Sequence, residues 1–285
     1  MIKMISVVMA NFNGEKFIEE AISSVINQDY DDYEFIIVDD GSEDRSRDII
    51  SDWKIRYPSK IKSIFMPVNR GQGSAFNIGI TESKGDPICF IDSDDIWFPN
   101  KLKNVNESID KQRDYSIHQH NLLVIRHGEL TNEKFREVLI SGDYFKYTKR
   151  TNLIPDFVPT SGLTFARHAL SKVLPIPEEF KTCADGFLTR TCFCYGDIVS
   201  DNECWGAYRI HNANNIFENP NFDINLYLND LLIPSLNQFY SEKNIDLRYT
   251  HHKTNLQLRP GSKLLTKIIT SATAVTKKLL IREER

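Results

Sequence analysis

No stretch of this sequence approaches the roughly 20 consecutive apolar residues needed to cross a bilayer. Met1 to Asn11 has neither the basic flank nor the cleavage site of a secretion signal, so a cytoplasmic location is expected. Cysteine is scarce: Cys89, Cys183, Cys192, Cys194 and Cys204 are odd in number and show no CxxC spacing, which argues against a disulfide framework and for reduced thiols. Cys192 and Cys194 lie two apart, with no nearby histidine or second pair to complete a zinc site. Cationic excess is also missing. With 35 Lys and Arg against 39 Asp and Glu, the formal charge of −4 gives no basic field for nucleic acid. What is present, 41% hydrophobic and 26% charged residues over 285 positions, suffices to bury a sizeable core in one large domain or two.

The first hundred residues repeat one unit. Ile5 to Met9 is a β-branched run that stops at Ala10, Asn11, Asn13 and Gly14. Beyond it Phe17, Ile18, Ala21, Ile22, Val25 and Ile26 recur at helical spacing, with Glu19, Glu20 and Ser23 on the opposite face. Phe35 to Val38 ends in Asp39, Asp40, Gly41 and Ser42 before a helix predicted over 44–53. Ile61 to Met66 leads to Asn69, Arg70, Gly71, Gln72 and Gly73 and a helix carrying Ala75, Ile78 and Ile80. Pro87 to Ile91 runs into Asp92, Ser93, Asp94 and Asp95. Four strand–helix alternations predict a parallel sheet with right-handed crossovers.

Ligands of such sheets sit beyond the carboxyl ends of the strands. Each of the four runs ends there in a polar cluster, so all four clusters should face one crevice. Any one of them alone reads as a plain turn. Asp39, after the second strand, is suited to accept from a base N–H or a ribose hydroxyl. For Asp40 and Ser42, contact with the ligand and a plain turn or helix-cap role both stay open. The loop NRGQGS is neither GxGxxG nor a P-loop, yet Gly71 and Gly73 permit close backbone approach and Arg70 suits a phosphate or a base edge.

Three carboxylates at the exit of a buried strand repel one another and need a divalent cation or solvent. If the segment is extended, alternation turns Asp92 and Asp94 toward the same side. Hard oxygen ligands of this kind suit Mg²⁺ or Mn²⁺ bound together with substrate phosphates.

In combination, SVVMANFNGEKFIEEAISSVINQ, FIIVDDGSEDRS, NRGQGSAFNIGI and GDPICFIDSDDIWFPNKL resemble the family-two glycosyltransferases over residues 4–103. The resemblance implies a GT-A fold: an α/β, Rossmann-like, mostly parallel sheet with helices on both faces, here with a C-terminal helical extension. It also implies an inverting, metal-dependent enzyme that uses a nucleotide-diphosphate sugar, a UDP-sugar first among candidates, and a glycan or lipid-linked acceptor. Carried over by position, Ala10, Asn11, Phe12, Asn13, Glu15, Asp39, Arg70, Gly71, Asp92 and Ser93 are expected at the donor, and Asp94 at the metal. The family often has Ala-Arg-Asn where this chain has Ala75, Phe76 and Asn77, so the contact of that arginine is not expected.

After Asn100 the regularity fades. Lys101 to Lys111 predicts a helix, Tyr115 to Ile125 one long strand or two, and Glu133 to Arg150 mixed helix and loop. His118, His120 and His127 are read as structural. Asp185 opens an apparent helix, where an acidic residue is stabilising in its own right; the resemblance instead makes Ala184-Asp185-Gly186 the site of the catalytic carboxylate. An inverting transfer needs a base for the acceptor hydroxyl, and Asp185 is assigned that role. His211, in Tyr208-Arg209-Ile210-His211, suits the metal or the diphosphate, with Arg209 supporting it. Three regions are thereby predicted: 1–103 for the nucleotide sugar, 104–220 for acceptor and catalysis, and 221–285 as the helical extension. In the last, Leu226, Leu228, Leu231, Leu232 and Leu236 form an apolar face. The basic amphipathic stretch 262–285 fits either a docked helix or peripheral contact with the inner face of a membrane.

Two other classes stay open on sequence alone. One is a nucleotidyltransferase, disfavoured because no long glycine-rich loop with a following Arg or Lys comes after the first strand. The other is a nucleotide-sugar-binding module without turnover, disfavoured by the intact Asp92, Asp94 and Asp185.

Overall fold

The structure, a computed structural model, describes residues 4–112, 114–211 and 222–250. The stretch 262–285 and Asn212, Asn214 and Asn215 lie outside these residues. Four parallel strands form first, β1 (Ile5–Asn11), β2 (Tyr33–Asp39), β3 (Ile61–Phe65) and β4 (Ile88–Asp92), in spatial order β3-β2-β1-β4. They are joined through α1 (Ile18–Ile26), α2 (Ser46–Arg56) and α3 (Gln72–Glu82).

Alternation along the strands decides the two faces. Val7, Met9, Phe35, Ile37, Cys89 and Ile91 pack toward Ile18, Ile22, Ile50 and Trp53 of α1 and α2. Val8, Ile88 and Phe90 pack toward Phe76 and Ile80 of α3 on the other side. Both faces are therefore buried, as the near-continuous apolar runs require. α2 starts two residues later than its periodicity predicts, because the Asp44 carboxylate accepts from the Ser46 and Glu15 amides and ties two loops together instead of entering the helix.

The register fixes the site. Asn11 lies opposite Asp39, Asp39 opposite Phe65, and Ala10 opposite Asp92, so the carboxyl ends of the strands finish level and their loops meet. The second half completes a nine-stranded sheet among the described residues. β5 (Ile96–Trp97) follows the carboxylates, and α4 (Lys101–Ile109) packs Leu102 and Val105 on the α1 face. β6 (Tyr115–Arg126) is one long strand and hairpins with β7 (Glu129–Lys134), which replaces the mixed helix and loop predicted at its start. α5 (Tyr144–Thr151), β8 (Leu163–Phe165), α6 (Arg167–Val173) and α7 (Asp185–Cys192) lead to β9 (Asp197–Ile210). β8 runs antiparallel between β4 and β6, whereas β9 runs parallel to β6.

The chain then forms α8 (Ile224–Leu226), a π-helical stretch Tyr227–Leu232, and α9 (Ile233–Glu242). Leu232 and Leu236 are buried, but Leu226 is exposed, contrary to the single apolar face expected. A π stretch widens the turn and breaks the 3.6-residue phase, which turns Leu226 outward. Among the described residues no helix is long and apolar enough to cross a membrane.

Candidate active site

The loops at the carboxyl ends enclose a cavity of about 1480 Å³. One wall comes from the first half of the chain. The loop after β1 is laced to the loop after β2: the Asn13 amide donates to Ser42 Oγ at 2.9 Å, the Gly14 amide to Ser46 Oγ at 2.9 Å, and the Glu43 amide to Asn13 Oδ1 at 2.9 Å. Asn11, which lines the cavity, donates through Nδ2 to Asp39 and Ser42, while its Oδ1 is buried without a partner. A Cβ at Gly14 would stand 2.2 Å from that oxygen, so any larger residue there would displace the Asn11 amide. Phe12 lines the cavity and is 48% exposed, an apolar face free to take a flat ring.

Asp39 and Arg70, both expected at the donor, do not line the cavity. Asp39 is fully buried. Its Oδ1 accepts from the Ser42 amide (3.0 Å) and Arg47 Nε (2.8 Å), and its Oδ2 from Asn11 Nδ2 (2.8 Å) and Ser42 Oγ (2.5 Å). A carboxylate out of water must be satisfied, and four inner donors satisfy it, so Asp39 holds the Asn11 side chain at the cavity edge. The Arg70 side chain turns outward to Glu178. Asp40, for which turn and ligand roles stayed open, accepts the Arg70 and Gly71 amides at 2.8 and 2.6 Å and thereby holds the NRGQGS loop. Gly71 lies at the cavity with φ +91°. Phe76, where the family often has arginine, is core, its ring 4.9 Å from that of Phe90.

The three carboxylates converge, their oxygens within 4.8 Å of one another, but not by alternation. Asp92 ends β4 and a tight turn follows, closed by the Asp95 amide on the Asp92 carbonyl at 3.2 Å. The extended segment assumed from the sequence is thus replaced by a turn, which suits Asp and Ser better than a strand does. Asp94 accepts from His211 Nε2 at 2.8 Å, whose ring also rests on Phe17. Asp95 is fully buried and turns away from the cavity, accepting Ser161 Oγ (2.6 Å) and the Arg209 amide (2.8 Å). Arg209 Nε in turn donates to the Asp94 carbonyl at 2.7 Å, so the end of β9 is fastened to the carboxylate turn. Burial raises the Asp92 carboxyl well above the usual carboxylate range, with Asp94 and Asp185 adding repulsion. Asp95 is raised in the same way by burial and by Asp94 and Asp92.

Asp185 opens α7 and faces the same cavity from the second half of the chain. Burial raises its pKa, and the Arg190 cation partly opposes that shift. Gln72 joins the two halves: its Nε2 donates to Asp92 Oδ1 at 3.4 Å and its Oε1 accepts the Ala184 amide at 2.9 Å. Nothing in the pattern of the sequence singled out Gln72, Ser161 or Tyr227, whose hydroxyl donates to the Cys183 carbonyl at 2.9 Å beside Asp185. Their types are ordinary, and only the fold gives them partners. His118 and His120 are buried around Trp205, and His118 bonds Asp201 at 2.9 Å, in keeping with a structural role; His127 stands on the cavity wall. The cysteines are all free thiols.

A mostly parallel α/β sheet with helices on both faces and a loop-lined crevice at the carboxyl ends of its strands has the architecture of the GT-A type. The model of glycosyl transferase family 2 matches residues 6–174, and the chain belongs to that family. An uncharacterized glycosyltransferase of Nostoc sp. is 38% identical over 214 residues, 74% of this chain and 66% of that protein. The chain spans 66% or less of the length of the curated relatives it matches. Solved structures share the fold: S. aureus TarS 1–349 in complex with UDP-GlcNAc has a TM-score of 0.58 at 21% identity, covering 74% of this chain and 60% of that one. The mannosyltransferase PcManGT of Pyrobaculum calidifontis, in complex with GDP-Man and Mn²⁺, has a TM-score of 0.57 at 15% identity, covering 75% and 59%.

Proposed function

We propose that the chain transfers a sugar, with inversion, from a nucleotide-diphosphate donor to a hydroxyl of a glycan or lipid-linked acceptor in cell-surface polysaccharide synthesis. The observation that carries this reading is that Asp92 and Asp94 from one half of the chain and Asp185 from the other line one cavity. UDP-sugars are the first donors to test, because the TarS fold holds UDP-GlcNAc.

The nucleoside lies against the loop after β1, with Asn11 Oδ1 as an acceptor and Phe12 as an apolar face, while Asp40 holds Gly71 close enough for backbone contact. The Asp92 and Asp94 carboxylates fit a hard divalent cation: their oxygens lie close together, burial makes Asp92 reluctant to ionise, and sharing a cation lowers their mutual repulsion. Asp94, with Asp92 and His211, would hold Mg²⁺ or Mn²⁺, which when bound supplies positive charge beside the diphosphate. Asp185 takes the proton of the acceptor hydroxyl as that oxygen bonds to the anomeric carbon; the bond to the diphosphate oxygen breaks, and the nucleoside diphosphate leaves. A carboxylate whose pKa is raised by burial is a stronger base than an exposed one, which suits this step.

The test incubates the protein with a panel of nucleotide sugars and Mn²⁺ and measures nucleotide release, with and without EDTA. Release from at least one donor that EDTA abolishes is expected; no metal-dependent release or binding with any donor would overturn the reading.

A further inference from the structure

The two walls of the cavity differ in charge. From the first half of the chain it is lined by Glu15, Asp40, Glu43, Asp44, Asp92 and Asp94, with Lys16 the single Lys or Arg there among the described residues. From the second half it is lined by Arg126, Arg136, Lys181, Arg190 and Arg209 against Asp156 and Asp185.

Three of the four arginines have a carboxylate partner: Arg126 pairs with Glu133 at 3.9 Å, Arg136 with Asp156 at 2.8 Å and Arg209 with Glu20 at 2.6 Å. Arg190 has no carboxylate within 4.0 Å among the described residues. Its Nη1 reaches only the Gly186 carbonyl at 3.3 Å and Thr189 Oγ1 at 3.1 Å, and its Nε is buried with no partner. The guanidinium lies 5.7 Å from the centre of the Phe157 ring, which also lines the cavity. A half-buried guanidinium with an unmet donor is costly, and a carboxylate or phosphate oxygen is the partner its fork fits. The donor diphosphate is drawn to the other wall, where the carboxylate turn and its cation lie, and Arg190 follows Asp185 by five residues on the same helix.

We infer that the acceptor carries an anionic group, a carboxylate or a phosphate, and that Arg190 receives it beside Phe157 while Asp185 meets the acceptor hydroxyl. This rests on the transferase reading and names the acceptor class for it. Arg190 is then a specificity-determining residue: it selects charged over neutral acceptors.

The experiment uses the full chain in EDTA, so that no anion can bind through a metal, and measures binding of three probes by ligand-observed NMR: methyl β-glucuronide, glycerol phosphate and methyl β-glucoside. At least one anionic probe should bind about tenfold or more tighter than the neutral glucoside, as expected for a charge-assisted pair. Arg190→Gln should bring it down to the glucoside level, and Arg190→Lys should keep part of the preference. The two anionic arms separate a uronic acid from a phosphate. Equal binding of all three probes, or a preference unchanged in a folded Arg190→Gln, would overturn the inference. Thermal melting with and without UDP and Mn²⁺ shows that each variant is folded. If nucleotide release is intact while the anion preference is absent, only this inference fails; if no donor supports release, the transferase reading fails with it.

Discussion

Asp95 offers a sharp test of how the carboxylate turn is built, because it is the member of the triplet that does not face the cavity. It is fully buried and accepts two hydrogen bonds, from Ser161 Oγ and the Arg209 amide. Replacing it with alanine leaves both donors in the interior without an acceptor. At about 1–3 kcal/mol for each unmet group, and taking the lower part of the range because the Ser161 hydroxyl can rotate, the expected loss is about 2–4 kcal/mol. For a domain of this size that is roughly 4–16 °C in melting temperature. Asparagine should behave differently. Its Oδ1 can accept the Arg209 amide, its Nδ2 can donate to Ser161 Oγ, and it carries no charge beside Asp92 and Asp94.

The pH dependence follows from the same geometry. Burial and the neighbouring carboxylates raise the Asp95 pKa in the folded chain, so ionisation opposes folding. Metal-free stability therefore falls as pH rises from the ordinary carboxylate range through the raised value, and Asp95→Asn removes that part of the fall. Melts in EDTA between pH 5 and 8 should show Asp95→Ala well below wild type throughout, with Asp95→Asn gaining on wild type as pH rises. An Asp95→Ala melt within about 2 °C of wild type, or an Asp95→Asn variant as damaged as Asp95→Ala, would refute the roles given to Ser161 and Arg209.

Two further outcomes follow. The acid limb of kcat/KM for nucleotide release should lie above the ordinary carboxylate range near pH 4, because the proposed base Asp185 would act ionised and burial raises its pKa; Arg190→Gln, which removes the opposing cation, should move the limb further toward alkaline pH. Gly71→Ala should cost about 1–2 kcal/mol or more from its left-handed φ of +91° alone, with a clash besides, since the new Cβ would stand 2.5 Å from Lys181 Cα; thermal melting and UDP titration would show both lowered, and unchanged values would contradict the close approach of these loops.

The βα repeat of the first hundred residues was legible because local periodicity and turn chemistry agree there with the tertiary fold. Ile18, Ile22, Ile50 and Phe90 lie in the core, and the polar clusters after β1 to β4 meet as their phase predicted. Side-chain direction was less legible. Asp39 and Arg70 stand in the expected loops, yet one is drawn inward by four donors and the other outward by Glu178. Asp92 and Asp94 converge through a turn instead of along a strand, a choice set by Ser161 and Arg209, 66 and 114 residues away from Asp95 in sequence. Gln72 stood in a cluster expected at the crevice, but its partner Ala184, like Tyr227 and its partner Cys183, is brought there only by the second half of the sheet and the helices after it.

Asp185 is the proposed base of a sugar transfer whose donor is bound by the opposite wall. The most direct measurement of that role compares wild type with Asp185→Asn, using the donor and Mn²⁺ that support release, for donor affinity and nucleotide release on the same preparation. If Asp185 is that base, donor affinity stays within a few-fold of wild type and release falls by about 10²–10⁴, the usual contribution of a positioned base. An Asp185→Asn variant that binds donor and releases nucleotide at the wild-type rate would contradict it.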